Sequence, residues 1–505
     1  MFLAYLWQLR ETNHPTLSSI KQQGIRNTII TYIGVAIGFI SLMFIQPNLL
    51  KPEELGLTRI LIASASLLAT ILPLGVSSVT TRFFPYFRNE EKKHHGYFGF
   101  MLLFPLLGTG VCGLLVYSFK HAIIGQYIDQ SPLFTHYFDL LLPLATIMGF
   151  NMALNAYSSS LFKTTIITFL EGIFSRILFI LLIVLYYYQW IDLTAFIYLF
   201  VLSYFLQAIW MCAYIFVVDK PSLIIEKKYF KAVGVNKLIG YGLLLTLTNV
   251  SSLSLKHLDA VLIGKYWNLS YVGVFAVAAY ISLIIEIPLN SLERISHAKI
   301  AQAFANKDME SIRKIYYQSV KYLMLLGGLL LVGIIINIHD LLSLLPEAYS
   351  AGAMVTIISC CAAFLNVSTG VNTSIIFNSS KYIYGTVLLM ILMVLALLLN
   401  IWLIPVYGMI GAAIATGVLA VIYNITKYLI ILLQFKMQPY DRSSLKILAV
   451  IAISFAAAFY LPFVSNAVVT MIYKSAIITT VYGGLTYLLK IVPEFHKYIP
   501  FLKEK

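Results

Sequence analysis

The chain has 505 residues, of which 60% are hydrophobic and only 11% are charged. Soluble domains carry about 25% charged residues, so this composition excludes a soluble globular fold of this length. The net charge of +14 does not indicate nucleic-acid binding, because the Lys and Arg residues lie in short loops between apolar segments.

Long apolar segments predict membrane-spanning helices. A spanning helix needs about 20 apolar residues, and residues 387–417 contain no charged residue. The segments lack the apolar–polar alternation of membrane-barrel strands, so an all-α membrane protein is predicted. In chain order, the fourteen predicted helices are 26–47, 58–81, 97–119, 137–161, 164–188, 192–218, 238–263, 270–291, 319–338, 351–377, 382–404, 408–434, 445–464 and 469–490.

Lys and Arg are distributed unevenly between alternate loops. If the N-terminus is placed in the cytoplasm, 28 of the 35 Lys and Arg residues lie in cytoplasmic segments and five lie in external segments. The remaining two, Arg176 and Lys256, lie within helices. The positive-inside rule therefore predicts both termini in the cytoplasm. The connection 291–320 is predicted to form an amphipathic surface helix on the same side.

An internal repeat relates two halves of the chain. Five residues around helix 4 recur around helix 10 at a constant offset of 215; the pairs are Asn151 and Asn366, Ser159 and Ser374, Phe162 and Phe377, Thr164 and Ser379, and Thr165 and Ser380. Gly56 and Pro73 likewise resemble Gly273 and Pro288, with offsets of 217 and 215. Because both halves begin on the cytoplasmic side, the pattern predicts two parallel six-helix bundles.

The repeat and the loops suggest the domain organisation. The predicted segments are a cytoplasmic N-terminal segment 1–25, a first bundle 26–218, a cytoplasmic linker 219–237, a second bundle 238–434, two additional helices within 445–490 and a cytoplasmic tail 491–505.

Three motifs resemble those of a known transporter family. They are LLKPEELG at 49–56, DAVLIGKYW at 259–267 with GVF at 273–275, and NIWLIPVYGMIGAAIAT at 400–416. They are similar to motifs of the polysaccharide transport branch of the multidrug/oligosaccharidyl-lipid/polysaccharide (MOP) exporter superfamily, which includes Wzx-type flippases. The resemblance covers nearly the whole chain.

The resemblance implies a MATE-like MOP fold with helices 13 and 14 added. It implies a flippase, not an enzyme, that moves an undecaprenyl-diphosphate-linked oligosaccharide from the inner to the outer leaflet of the bacterial cytoplasmic membrane. The glycan would be a repeat unit of O-antigen, capsule or exopolysaccharide. Partners would be this lipid-linked oligosaccharide, the bilayer, and a polysaccharide polymerase or glycosyltransferases, with no nucleic acid and no cofactor.

Three basic residues are candidates for substrate binding. Arg176 lies near the middle of helix 5, where a charge is costly and usually functional; the alternative is neutralisation by an acid on a neighbouring helix. Lys256 could bind substrate or pair with Asp259, three residues later. Arg59 lies near a helix end, where it could also be an interface residue.

Three further candidates carry amide or carboxylate groups. Asn151 and Asn366 occupy equivalent repeat positions, and they could line a sugar cavity or form interhelical hydrogen bonds. Glu286, two residues before Pro288, is a candidate for proton coupling or an interfacial anchor. No residue pattern indicates a metal site.

Other functions remain as alternatives. A MATE-type drug or organic-cation antiporter would share the fold, but such proteins usually carry an acid in the first helix, and residues 27–46 contain none. A membrane-embedded polymerase would need a long external loop with catalytic Arg or His, and the predicted external loops are short. The sequence has no glycine-rich phosphate loop, so an ATP-driven pump is not expected.

The predicted topology can be tested by cysteine labelling. In a background with the four native cysteines replaced, Gln130→Cys should react with an impermeant maleimide in intact cells, because its loop is predicted to be external. Lys307→Cys, in a predicted cytoplasmic connection, is the matched control and should react only after lysis. The opposite pattern would invert the topology.

Overall fold

The computed structural model describes residues 17–462, 464 and 466–491, with side chains from residue 23 onward. Within this part of the chain, thirteen helices are long and apolar enough to cross a membrane. They fall into two compact units that divide between Val272 and Gly273. Most of the predicted N-terminal segment and nearly all of the C-terminal tail lie outside the described residues.

The first unit contains seven of these helices. They are α1 (Gln23–Leu49), α2 (Pro52–Ile71), α3 (Lys93–Ser118), α4 (Phe138–Ser160), α5 (Thr165–Tyr187), α6 (Leu193–Val218) and α7 (Val235–Tyr266). α4 packs against α2, α3 and α6, and α7 packs against α2. The division into bundles 26–218 and 238–434 stays a prediction from the sequence repeat.

The second unit contains the remaining helices. They are α8 (Leu269–Ala305), α9 (Met309–Leu342), α10 (Glu347–Ser368), the 54-residue helix Tyr382–Phe435, α13 (Arg442–Phe459) and α14 (Ala467–Leu488). α9 packs against α10, α13 and α14.

The 54-residue helix is a hairpin of two spans, α11 (382–407) and α12 (409–435), with its turn at Gly408. The backbone there has φ 58° and ψ −136°, a conformation that is open essentially only to glycine. A Cβ atom on Gly411 would lie 2.4 Å from the Leu403 carbonyl oxygen, although residues eight apart in a straight helix are separated by about 12 Å. Counting both arms, the predicted fourteen-helix membrane fold is confirmed.

Three predicted segments differ from the structure. One is the predicted helix 351–377, which is interrupted after Ser368, where Gly370 has φ 64°, and resumes as the helix Asn372–Asn378. The predicted helix 58–81 is broken at Leu72–Gly75, since Leu74 and Gly75 have φ of 49° and 73°, and the chain continues as the helix Val76–Phe87. The predicted surface helix 291–320 is wrong: α8 runs through Pro288 to Ala305, and α9 begins at Met309. The connection is therefore only a short turn.

Two histidines in the first turn of α3 contact the connection between α6 and α7. His94 Nε2 lies 2.8 Å from Asp219 Oδ1, and the Tyr157 hydroxyl donates to Asp219 Oδ2 at 2.6 Å. His95 Nδ1 lies 2.5 Å from Glu226 Oε2. This hydrogen bond holds the pKa of the Glu226 carboxyl below its usual range. The start of α3 and the connection between α6 and α7, which are distant in sequence, are thus held together within the first unit.

Close helix packing in the first unit can be tested at a pair of glycines in α3. A Cβ on Gly108 would lie 1.7 Å from the Leu72 carbonyl oxygen, whereas a Cβ on Gly110 would meet nothing within 4 Å. Gly108→Ala should therefore destabilise the protein by about 1–3 kcal/mol or more, because backbone has to move. Gly110→Ala, the matched control, should unfold within a degree or two of wild type or slightly later. The unfolding temperatures of both variants can be measured in detergent by thermal unfolding followed by size-exclusion chromatography. Equal unfolding temperatures for Gly108→Ala and Gly110→Ala would contradict the close packing at Gly108.

Candidate functional site

A cleft of about 200 Å³ lies within the first unit, where α2, α4, α5, α6 and α7 converge. Its polar lining consists of Ser66, Asn151, Glu171, Tyr204 and Gln207. Asn151, predicted as a substrate residue, is buried and donates to the Tyr204 carbonyl at 3.3 Å. The cleft offers both donors and acceptors at positions inside spanning helices.

Glu171 supplies the negative charge of the cleft. It lies in a π-helical turn of α5, Leu170–Phe174, and such turns frequently occur at functional sites. The Asn155 amide, one turn after Asn151 on α4, donates to both carboxylate oxygens, at 2.7 and 2.8 Å. A side chain on α4 therefore fixes the direction of the carboxylate.

Arg176 is not among the residues that line this cleft; it contacts α1. Its Nη1 donates to the Gly34 carbonyl. A Cβ on Gly34 or Gly38 would lie only 3.2 or 3.0 Å from the guanidinium. The arginine thus fits against a face of α1 that glycines leave open. A Cβ on Gly34 would also lie 2.6 Å from the Gly172 carbonyl oxygen, so α1 and α5 approach closely here.

The other two basic candidates lie in different surroundings. Arg59 donates from Nη2 to Gln46 Oε1, and the Gln46 amide donates to Ser41 Oγ at 2.9 Å. This places Arg59 in a polar chain between α2 and α1. Lys256 is exposed on α7, whereas Asp259, its predicted partner, is buried.

The second unit contains a buried lysine that the sequence analysis missed. Lys427 lies on α12 and is only 2% exposed. Its Nζ donates to Asn366 Oδ1 at 3.4 Å and to Thr373 Oγ1 at 3.3 Å, and it lies 3.9 Å from the centre of the Tyr423 ring. It had been counted with the cytoplasmic residues at the end of helix 12. The sequence does place Tyr423, Asn424 and Lys427 on one face of a helix in an apolar segment, and this polar face could have indicated a buried polar site.

Carboxylates on α8 complete the Lys427 cluster. Glu286 accepts a hydrogen bond from Asn366 Nδ2 at 3.0 Å, so the structure brings together two of the predicted residues. Lys427 interacts electrostatically with Glu293 and, more weakly, with Glu286. The cluster is thus a cation held by an amide, a hydroxyl and two nearby carboxylates inside apolar helices.

Comparisons with known proteins agree with this architecture. A family model described as polysaccharide biosynthesis protein matches residues 48–336. Among curated proteins, no relative matches the sequence.

Solved transporter structures resemble the chain. The lipid II flippase MurJ, in an inward closed conformation, has 16% sequence identity and a TM-score of 0.76, covering 92% of this chain and 98% of its own. An inward-facing multidrug resistance MATE transporter of the MOP superfamily has 15% identity and a TM-score of 0.62, covering 82% of this chain and 99% of its own. A MOP superfamily transporter from Pyrococcus furiosus, described as having a binding pocket of reversed polarity, has 15% identity and a TM-score of 0.53, covering 81% of this chain and 94% of its own. These similarities confirm the MOP-type fold.

The Lys427 cluster predicts a pattern of mutant stabilities. Lys427→Met keeps the side-chain volume but leaves Glu293 and Glu286 without their cation, so it should cost about 3 kcal/mol. The double variant Lys427→Met with Glu293→Gln should recover part of that loss, because one uncompensated carboxylate is removed. Lys314→Met, at an exposed position of α9, is the control and should change little. Thermal unfolding of the purified variants measures the pattern; a double variant less stable than Lys427→Met would contradict it.

Proposed function

The chain belongs to the polysaccharide biosynthesis protein family, and on this basis we propose that it is a flippase for an undecaprenyl-diphosphate-linked oligosaccharide. The cargo moves from the inner to the outer leaflet by alternating access. The glycan is a repeat unit of O-antigen, capsule or exopolysaccharide. Similarity to the fold of the lipid II flippase MurJ supports a task in which a lipid tail stays in the bilayer while its headgroup crosses.

The observation that carries the proposal is the placement of polar groups inside the spanning helices of each unit. Sugars cannot cross hydrocarbon without hydrogen-bond partners, because an unpaired hydroxyl in an apolar medium costs several kcal/mol. The Glu171 cleft and the Lys427 cluster offer such partners within helices that are otherwise apolar. A protein that only anchored other enzymes to the membrane would have no need of them.

The candidate residues then take separate roles. Asn151 and Asn366 bind glycan hydroxyls, and Arg176, Arg59 and Lys256 meet the diphosphate along its path. A guanidinium or ammonium favours phosphate oxygens through charge-assisted hydrogen bonds. Glu286 is the candidate for proton coupling, because its hydrogen bond to Asn366 links it to the Lys427 cluster.

The proposed setting is the cytoplasmic membrane of a bacterium. Both termini lie on the cytoplasmic side, as the distribution of Lys and Arg favours. Glycosyltransferases on that side supply the lipid-linked oligosaccharide, and a polysaccharide polymerase on the outer side consumes it.

A second candidate function is export of an organic cation. One observation favours it: Glu171 places a carboxylate in a cleft of the first unit. Against it, the described part of α1 carries no acidic residue, and the matched family is one of polysaccharide biosynthesis. Transport of tetraphenylphosphonium in place of the lipid-linked oligosaccharide would select this function.

The proposed function predicts transport that responds to membrane potential. Outward movement of a diphosphate with about two negative charges, from a negative interior, is favourable by roughly 4–5 kcal/mol of free energy per 100 mV. Vesicles containing the purified protein and a fluorescent lipid-linked oligosaccharide should therefore flip it faster when the starting side is negative. Collapsing the potential with valinomycin and potassium should slow the reaction. Unchanged flipping would contradict the electrical drive, and no flipping at all would contradict the function.

The same vesicles test the role of Glu286. Glu286→Gln should keep the response to potential and lose only the acceleration caused by a pH gradient, since the amide cannot carry a proton. Glu310→Gln, an exposed position of α9, is the matched control and should keep both responses.

A further inference from the structure

The cleft in the first unit has the properties of a binding site for a single sugar ring. Building on the proposed function, we propose that it receives one pyranose of the glycan and that the Glu171 carboxylate accepts hydrogen bonds from two neighbouring hydroxyl groups of that sugar. The recognised chemistry is a vicinal diol presented beside an apolar ring face. This assigns the cleft a ligand that neither the family nor the fold specifies.

The carboxylate is positioned to accept from a ligand. An ionised carboxylate has about four acceptor sites, and one Asn155 amide group reaching both oxygens uses only part of them. The π-helical turn around Glu171 displaces this residue from the regular helical ladder of α5. The Glu171 side chain is exposed at the wall of the cleft although it lies on a spanning helix.

The rest of the lining matches a sugar better than a simple cation. Asn151 and Gln207 are amides with two N–H donors each; one donor of Asn151 is used by the Tyr204 carbonyl and one of Gln207 by the Met211 sulfur, which leaves one on each, and Ser66 adds a hydroxyl. A cation would gain nothing from the donors, whereas sugar hydroxyls need both kinds of partner. Met148 and Met152 line the same cleft and offer an apolar surface to the C–H face of a ring.

The size of the cleft limits the ligand to one ring. Pockets for drug-sized molecules occupy about 300–1,000 Å³, and this cleft has about 200 Å³. A single pyranose fits such a space, whereas a whole oligosaccharide does not. The remaining sugars of a repeat unit would lie outside the cleft, so the cleft would select for one sugar and tolerate variation in the others.

Binding can be measured with soluble probes. Saturation-transfer NMR on the full chain in nanodiscs, with a panel of methyl glycosides of common hexoses, N-acetylhexosamines and 6-deoxyhexoses, should show binding of at least one glycoside. Glu171→Gln, which keeps the shape and still accepts from Asn155, should raise the Kd of that glycoside at least tenfold. Glu91→Gln, at an exposed position of the same unit, is the control and should leave it within twofold. Thermal unfolding establishes that both variants are folded.

Three results would overturn the proposal: no glycoside of the panel binds the wild type, Glu171→Gln binds as tightly as the wild type, or tetraphenylphosphonium displaces the glycoside and itself depends on Glu171. The last result would make the cleft a cation site.

The vesicle assay separates this inference from the proposed function. If lipid-linked oligosaccharide is flipped equally by the wild type and Glu171→Gln, the sugar site is wrong while the flippase function stands. If glycosides bind through Glu171 but no lipid-linked oligosaccharide is flipped, the function is wrong while the sugar site stands.

Discussion

Compensation of charge within the protein is the constraint on which the rest of this structure depends. Lipid tails offer no hydrogen bonds, so a charged group inside a spanning helix needs partners on neighbouring helices. Lys427 meets this demand with Asn366, Thr373 and nearby carboxylates, which ties α12 to α8 and to the region of α10. Arg176 meets it differently, by packing against glycines of α1 and donating to a backbone carbonyl. Polar contacts of this kind specify which helices become neighbours when nearly every surface is apolar.

The two asparagines at equivalent positions of the predicted repeat lie in different surroundings. Asn151 and Asn366 are related by the offset of 215, yet Asn151 donates to a backbone carbonyl beside an open cleft, while Asn366 lies between Glu286 and Lys427. If the offset of 215 is extended to Lys427, it leads to Cys212, which carries no charge. In the first unit the cleft beside Asn151 contains the carboxylate of Glu171, whereas in the second unit Asn366 contacts the ammonium group of Lys427.

Hydropathy and the positions of Lys and Arg were sufficient to predict the fourteen spans, because the bilayer requires about twenty apolar residues per helix whatever the fold. The break at Leu74 could not be predicted, since it combines positive φ at a leucine with a close approach of this segment to Gly242 of α7. Lys427 was missed because position along the chain suggested a cytoplasmic helix end, and burial depends on the neighbours that α8 and α10 provide. Glu171 was not among the predicted site residues, because its cleft forms only where five helices converge, and no local sequence pattern indicates that.

The hairpin turn at Gly408 has a consequence for how the protein enters the membrane. With Gly411 against the Leu403 carbonyl, the turn leaves no hydrophilic loop between α11 and α12. During insertion, almost no polar segment would have to cross the bilayer at this point. The two helices would therefore insert into the bilayer together, as an apolar helical hairpin. Any residue with a Cβ at position 408 would resist the backbone conformation of the turn. A substitution of Gly408 would therefore first disturb the insertion of α11 and α12 during biogenesis and give an incorrect topology, before any effect on transport.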